Sequence, residues 1–186
     1  NKLKRKKIIL AVGRLVKQKN FSILISAFFF FNKKNKGWKL NIIGEGEEKK
    51  NLIRQINYLN LQEKIKIINY SKKLNQFYKK SSIYVSSSIY ESFGLTVAEA
   101  LIYGLPCIAF RKCTGVNKII SHNKNGLLID SSFDNSIKLA EEIDKLANDK
   151  KKLKQMQNYY DPKFLTKNSH GHVFKVWKKL IWQLVR

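Results

Sequence analysis

The chain has 186 residues, enough for one domain with a proper core, and its hydrophobic and charged fractions of 44% and 27% are those of a globular protein. No apolar run approaches the ~20 residues of a membrane-spanning helix, since the densest patch is only Ala27–Phe31, and the short run Ile8–Val12 behind the basic start is no secretory signal. A formal net charge of +24 would ordinarily point to nucleic acid or an anionic membrane; the cations, however, are nearly all Lys scattered along the chain, and the Arg that reads bases bidentately occurs only at Arg5, Arg14, Arg54, Arg111 and Arg186.

Short β-rich runs alternate with helical stretches, which predicts βαβ units and a Rossmann-like parallel sheet with flanking helices. Lys7–Val12 reads as the first strand, running into a loop at Gly13. Phe21–Phe31 is a strongly apolar helix with Asn20 as its N-cap. Trp38–Ile43 is the second strand, ending in the turn Gly44-Glu45-Gly46, and a polar helix covers Glu47–Tyr58 with Leu52, Ile53 and Ile56 inward. Strand Ile65–Ile68, helix Leu74–Lys80 and strand Ile83–Val85 follow. Helix Gly94–Tyr103 closes on Gly104, where a left-handed residue is wanted, and Pro106 leads into strand Cys107–Phe110. A short helix is expected at Val116–Ser121, a strand at Gly126–Ile129, and amphipathic helices at Asn135–Asn148 and Lys150–Asn158. Past Pro162, the only plausible break, Val173–Arg186 carries a helical stripe through Val173, Trp177, Leu180, Ile181 and Leu184. The organisation is therefore a Rossmann-like α/β domain over residues 1–160 and a C-terminal helical segment over residues 161–186.

Cys107 and Cys113 make no disulfide framework and no zinc spacing, and His170-Gly171-His172 is isolated, so no metal is expected and a reduced, cytoplasmic setting fits. Lys, Asn and Ile share A/T-rich codons, so the charge reads first as compositional drift, with peripheral contact at the inner membrane surface second and nucleic acid third. The chain opens on Asn rather than Met, which points to a piece of a longer protein.

In an open parallel sheet, ligands sit at the carboxyl ends of the strands, beside helix N-termini. Gly13 lets the first strand turn tightly, and Arg14 and Lys19 can both reach over the sheet edge, where a diphosphate would relieve their repulsion. On composition alone, an ordinary exposed basic loop in a Lys-rich chain is the preferred reading of this segment. Further on, Glu91 and Glu99 flank the turn Phe93-Gly94-Leu95, one in the loop and one in the helix it opens. With only 13 acidic residues in the chain, that pairing is less easily accidental, although Glu99 could simply cap the helix or pair with a lysine.

These segments together resemble the C-terminal, donor-binding domain of retaining glycosyltransferases of the GT-B fold, family 4. Glu91 and Glu99 match its E-x7-E motif, Gly13-Arg14-Leu15 with Lys19 its Gly-Arg-Leu…Lys segment, Ala100–Ala109 its A-x-x-x-G-x-P-V-I-A, and Asn125–Leu128 its N-G-x-L. The resemblance runs in order from Lys7 to Asn158. It implies that Arg14 and Lys19 meet the donor's diphosphate, Glu91 the transferred sugar and Glu99 the ribose. The backbone of Phe93, Gly94 and Leu95 would meet sugar and phosphate, and Asn69–Ser71, with Tyr70 among them, would lie beside the base. Ser81-Ser82, Ser87 and Lys118 depart from the family's usual Ala-Asp, Pro and Glu.

The implied reaction moves a sugar from a nucleoside diphosphate to an acceptor hydroxyl with retention, in cell-surface polysaccharide or glycolipid synthesis, without a cofactor. Arg14, Lys19 and the helix start at Gly94 would stabilise the leaving diphosphate, an effect of about 3–4 kcal/mol per donor. An N-terminal acceptor-binding domain would be the missing partner, with the C-terminal stripe packing on it or lying on a membrane surface. A catalytically incomplete sugar-nucleotide-binding remnant and a basic nucleic-acid-binding module stay open as rival readings, although no nucleic-acid partner is expected.

Overall fold

Alternation along each strand decides which helices cover which face of the sheet. The computed structural model describes residues 5–70 and 73–159. Strands β1 (Ile8–Val12), β2 (Lys39–Ile43), β3 (Ile65–Ile68), β4 (Ile83–Ser86), β5 (Cys107–Phe110) and β6 (Gly126–Ile129) form one sheet in the order β3-β2-β1-β4-β5-β6. Every neighbouring pair is parallel, and the β1–β2 register runs from Ile8 opposite Lys39 to Val12 opposite Ile43. The intervening helices are α1 (Phe21–Lys34), α2 (Lys49–Tyr58), α3 (Leu74–Lys80), α4 (Leu95–Ile102), α5 (Thr114–Asn117), α6 (Ser136–Asn148) and α7 (Lys150–Gln157).

Ile9, Ala11, Leu40, Ile42, Val85 and Ile108 pack with α1, α2 and α6. Their alternates Leu10, Val12, Ile43, Tyr84, Cys107 and Ala109 pack with Tyr78 of α3, Val97 of α4 and Val116 of α5. Both faces are thus covered, which is why β1, β5 and β6 read as continuous apolar runs rather than alternating ones. Helix α1 buries Phe21, Leu24, Ile25, Phe28 and Phe31, a three-to-four-residue spacing that makes one stripe. Each such side chain contributes about 1.5–3 kcal/mol by leaving water.

Several elements end elsewhere than expected, each for a local reason. Helix α1 continues past Phe31 to Lys34, with the Lys33 ammonium 4.8 Å from the Phe29 ring centroid one turn back. It stops where the Asn35 amide donates to the Phe31 carbonyl (3.1 Å) and to Asp144 Oδ1 of α6 (2.6 Å). Asn20 does stand at the helix start, but at φ 50° its side chain does not cap; its amide donates to the Phe133 carbonyl at 2.9 Å instead. Trp38 precedes β2 rather than opening it: its N–H closes a turn onto Asn35 O, and its ring packs on Phe31 at 5.7 Å. The short helix expected at Val116–Ser121 is α5, which starts two residues earlier and ends four residues earlier, at Asn117. Beyond its C-cap Lys118, the Asn125 side chain accepts the Ser121 N–H at 2.8 Å. Gly104 sits at φ +66°, with the Gly104 and Leu105 N–H groups bonded back to Leu101 O and Ala100 O, the Schellman arrangement.

Among the described residues no helix is long and apolar enough to cross a membrane. The C-terminal stripe through Trp177 and Leu184, with Pro162, His170 and His172, lies outside the described residues.

Candidate functional site

Strand order reverses between β1 and β4, and a parallel sheet opens a crevice at such a point, outside the carboxyl ends of its strands. A cleft of about 810 Å³ lies there, lined from the loops after β1, β2, β3 and β4 and from the start of α4. Gly13, Arg14, Lys19, Tyr70, Glu91, Phe93, Gly94, Leu95 and Glu99 all line it, so the structure gathers the nine residues singled out from sequence in one place. The cleft also takes in Gln18, Gly44, Glu45, Leu74, Tyr90, Ser92 and Thr96, which the sequence reading did not assign.

The loop after β1 is held in place by bare backbone. A Cβ on Gly44 would stand 1.8 Å from Gly13 O, and one on Gly46 2.4 Å from Leu15 O. The turn Gly44-Glu45-Gly46 is therefore a seat on which Gly13–Leu15 rests, fastened by Gly13 N–H to Ile43 O (3.0 Å) and Leu15 N–H to Glu45 O (2.7 Å). Gly13 itself is not in the left-handed region, contrary to the tight-turn expectation. Its missing side chain instead makes room for the Lys19 stem, whose Cε would lie 3.2 Å from an added Cβ.

Lys19 Nζ bonds Glu91 Oε1 at 2.5 Å, with the two side chains only 14% and 13% exposed. Ser88 Oγ donates to the same carboxylate oxygen at 2.7 Å, and Ser87 Oγ donates to Lys19 O at 2.8 Å. Gln18 completes the lacing: its carbonyl accepts the Ile89 N–H (2.9 Å) and its amide donates to Tyr90 O (2.8 Å). The Lys19 charge, expected to stand beside Arg14 awaiting an anion, is thus already matched by Glu91. An ammonium has three donors, so this bond leaves two others. Arg14 is exposed at the cleft wall.

Helix α4 opens at Gly94, which adopts φ +83° and is strained for any other residue. Among the described residues the N–H groups of Phe93, Gly94, Leu95 and Thr96 donate to no protein acceptor, as expected for a helix start. They stand with the positive end of the helix on the cleft wall. Below them Gly115 of α5 touches the Glu91 backbone so closely that a Cβ would lie 2.1 Å from Glu91 O.

Glu99 is exposed, and its Oε2 accepts the Tyr78 hydroxyl at 2.8 Å rather than pairing with a lysine. The Tyr84 hydroxyl lies 3.2 Å from Val12 O and 2.8 Å from Thr96 Oγ1. With one proton it donates to the carbonyl and accepts from Thr96. Burial, with smaller contributions from neighbouring groups, holds both phenols above their ordinary value, so they remain neutral donors. The positions that depart from the family pattern are absorbed locally. Ser81 Oγ donates to Phe77 O (2.7 Å) and Ser82 Oγ to Lys6 O (2.6 Å), while Lys118 is exposed and does not line the cleft.

Comparison with known proteins gives a consistent picture. The family model for glycosyl transferases group 1 matches residues 1–161. An uncharacterised glycosyltransferase of Haemophilus influenzae is 31% identical over 177 residues, covering 94% of this chain and 49% of that protein. The amylovoran biosynthesis glycosyltransferase AmsD of Erwinia amylovora is 39% identical over 122 residues, 66% of this chain and 34% of that one. The pneumococcal O-GlcNAc transferase GtfA, solved in complex with UDP and GlcNAc, superposes with a TM-score of 0.85 at 28% identity, over 98% of this chain and 37% of that chain. The chain therefore spans half or less of the length of these relatives.

Proposed function

The chain belongs to the glycosyl transferases group 1 family, and from that premise we propose that its cleft holds the nucleotide-diphosphate sugar of a retaining transfer to an acceptor hydroxyl. What supports the reading is one convergence: two cations, two carboxylates and a helix start, far apart in sequence, share a single cleft at the strand-order reversal.

In this reading Arg14, the remaining Lys19 donors and the N–H groups of Phe93, Gly94 and Leu95 receive the diphosphate. Its charge grows as the glycosidic bond breaks, and donors fixed before the reaction stabilise it without reorganisation. Glu91, held by Lys19 and Ser88, offers a set carboxylate to the hydroxyls of the transferred sugar. Glu99 takes the ribose, Tyr70 lies beside the base, and Gly13 keeps the Lys19 stem against the strand end. The acceptor comes from an N-terminal domain beyond this chain. A uridine nucleotide is the first donor to try, because the pneumococcal neighbour was solved with UDP. The Erwinia relative's name, an amylovoran biosynthesis glycosyltransferase, supports a biosynthetic product, which in this reading is a cell-surface polysaccharide or glycolipid made on the cytoplasmic side, peripherally at the membrane.

Calorimetry of the chain with UDP-, GDP- and ADP-sugars tests this, with Arg14→Ala and Glu99→Ala as controls. One-to-one binding of one nucleotide class, lost or weakened at least tenfold in both variants, is expected. No binding at millimolar ligand would mean that the site needs its N-terminal partner domain or has decayed to a remnant. Binding that ignores Glu99→Ala but falls steeply with salt would point to unspecific polyanion attraction instead.

A further inference from the structure

Glu99 is exposed and sits on a short helix, circumstances in which a carboxylate usually samples several rotamers. Here one oxygen is tied down from an adjoining helix. Tyr78, 1% exposed on α3, donates to Glu99 Oε2 at 2.8 Å, while the Thr96 carbonyl at 3.3 Å is the longer of its two possible acceptors. The Tyr78 ring is fixed in turn, stacking on Tyr103 at 5.4 Å and 8°. Tyr103 stands one helical turn after Glu99, so the stack and the hydrogen bond hold the same face of α4. The Arg5 guanidinium braces the arrangement from behind, donating to Tyr78 O and Ser81 O at the end of α3 and to Tyr103 O and Gly104 O at the end of α4. A cation at two helix C-termini suits both dipoles and locks the two helices together.

We propose that Tyr78 is a positioning residue that fixes Glu99 and so sets the site's preference for a nucleotide with both ribose hydroxyls. The proposal rests on the donor-site reading above, in which Glu99 takes the ribose. With Oε2 committed to Tyr78, Oε1 is presented at the cleft wall in one orientation, and a ribose hydroxyl need not order the side chain on binding. Loss of the phenol oxygen leaves the carboxylate in place and the ring stack intact, and restores rotamer freedom that binding must then remove.

The experiment compares UDP, GDP and ADP with their 2′,3′-dideoxy counterparts by calorimetry, in the parent chain and in Y78F, Y84F and E99A. The parent is expected to favour the ribonucleotide of its preferred base by about tenfold or more, the size of hydrogen bonds to a charged group. E99A abolishes that preference. Y78F reduces it about three- to tenfold while binding the dideoxy ligand as the parent does. Y84F, at a side chain as buried as Tyr78 but with its hydroxyl facing Val12 and Thr96, lowers stability without changing the preference. A purely structural role for Tyr78 would weaken both ligands together and leave their ratio alone, and that result overturns the proposal. A parent with no ribose preference overturns the assignment of Glu99 and the proposal with it. A preference removed by E99A but kept in Y78F overturns the proposal alone. Should Y78F not fold, Y103L at the half-exposed stacking position carries the same test, and an unchanged ratio there is equally fatal.

Discussion

Replacing Gly115 with Ala adds one methyl group at the place where α5 touches the loop carrying Glu91. On helix propensity alone the change should help, by about 0.5–1 kcal/mol, because Gly115 lies within a helix and not in the left-handed region. Sterics decide otherwise. The new Cβ would stand 2.1 Å from Glu91 O, 2.7 Å from Glu91 C and 2.9 Å from Phe93 N, and since real Cβ atoms essentially never come within 3.0 Å of such neighbours, the two segments must part by about 0.9 Å. All three contacts are backbone, so no rotamer change relieves them. Overpacking of this kind costs about 1–3 kcal/mol, more than the propensity gain. The larger effect falls on the cleft: a displacement near 1 Å moves Glu91 away from Lys19 and Ser88 and changes the approach to Gly94. Misplacement of that size costs roughly a hundredfold in function. Urea unfolding should show a net loss of up to about 2.5 kcal/mol, and, on the proposed donor-site reading, calorimetry a nucleotide-sugar affinity lower by about one to two orders of magnitude. A variant that is as stable as the parent or more so, and binds within twofold of it, would refute the claim that this contact sets the Glu91 loop.

Three further outcomes follow from the packing and electrostatics. A double-mutant cycle over K19A and E91A should give a coupling of about 1–3 kcal/mol in unfolding free energy, because each single variant strands a mostly buried charge; a coupling below about 0.3 kcal/mol would mean the pair is solvated. Phe28→Ala, at a position with no exposure, should cost about 3–5 kcal/mol, whereas Phe30→Ala at 38% exposure should cost less than about 0.5, and comparable losses at both would contradict the assigned face of α1. Burial holds the Cys107 thiol well above its ordinary value, so its contribution is fully present below the unfolded thiol range and is lost as pH rises. Denaturation under reducing conditions should therefore show stability falling above about pH 8.5, by up to about 1.4 kcal/mol per pH unit from this thiol; Cys107→Ala should remove that share, and an identical slope in the variant would sink the assignment.

The sequence by itself determined the layered fold and most of its boundaries. Apolar runs with β-branched residues, separated by helical stretches, admit few arrangements once right-handed parallel crossovers are assumed, and strands Ile65–Ile68, Cys107–Phe110 and Gly126–Ile129 lie where the pattern put them. It also singled out Arg14, Lys19, Glu91 and Glu99, because they occupy the ends of strands and the start of a helix at motif spacing. Local pattern could not say which groups would meet. Lys19 and Glu91 are 72 residues apart, and only the pairing of β1 beside β4 brings them to 2.5 Å. Glycine was legible as a turn residue but not as a clearance: the reason for Gly13, Gly44, Gly46 and Gly115 is the backbone or side chain that crosses them, which belongs to other segments. Tyr78 carried no signal beyond an apolar helix position, since its hydroxyl acquires a purpose only when α3 is docked against α4. Periodicity reports the face a residue presents, whereas a site is made by contacts between faces, and those are fixed by the docking of elements distant in the chain.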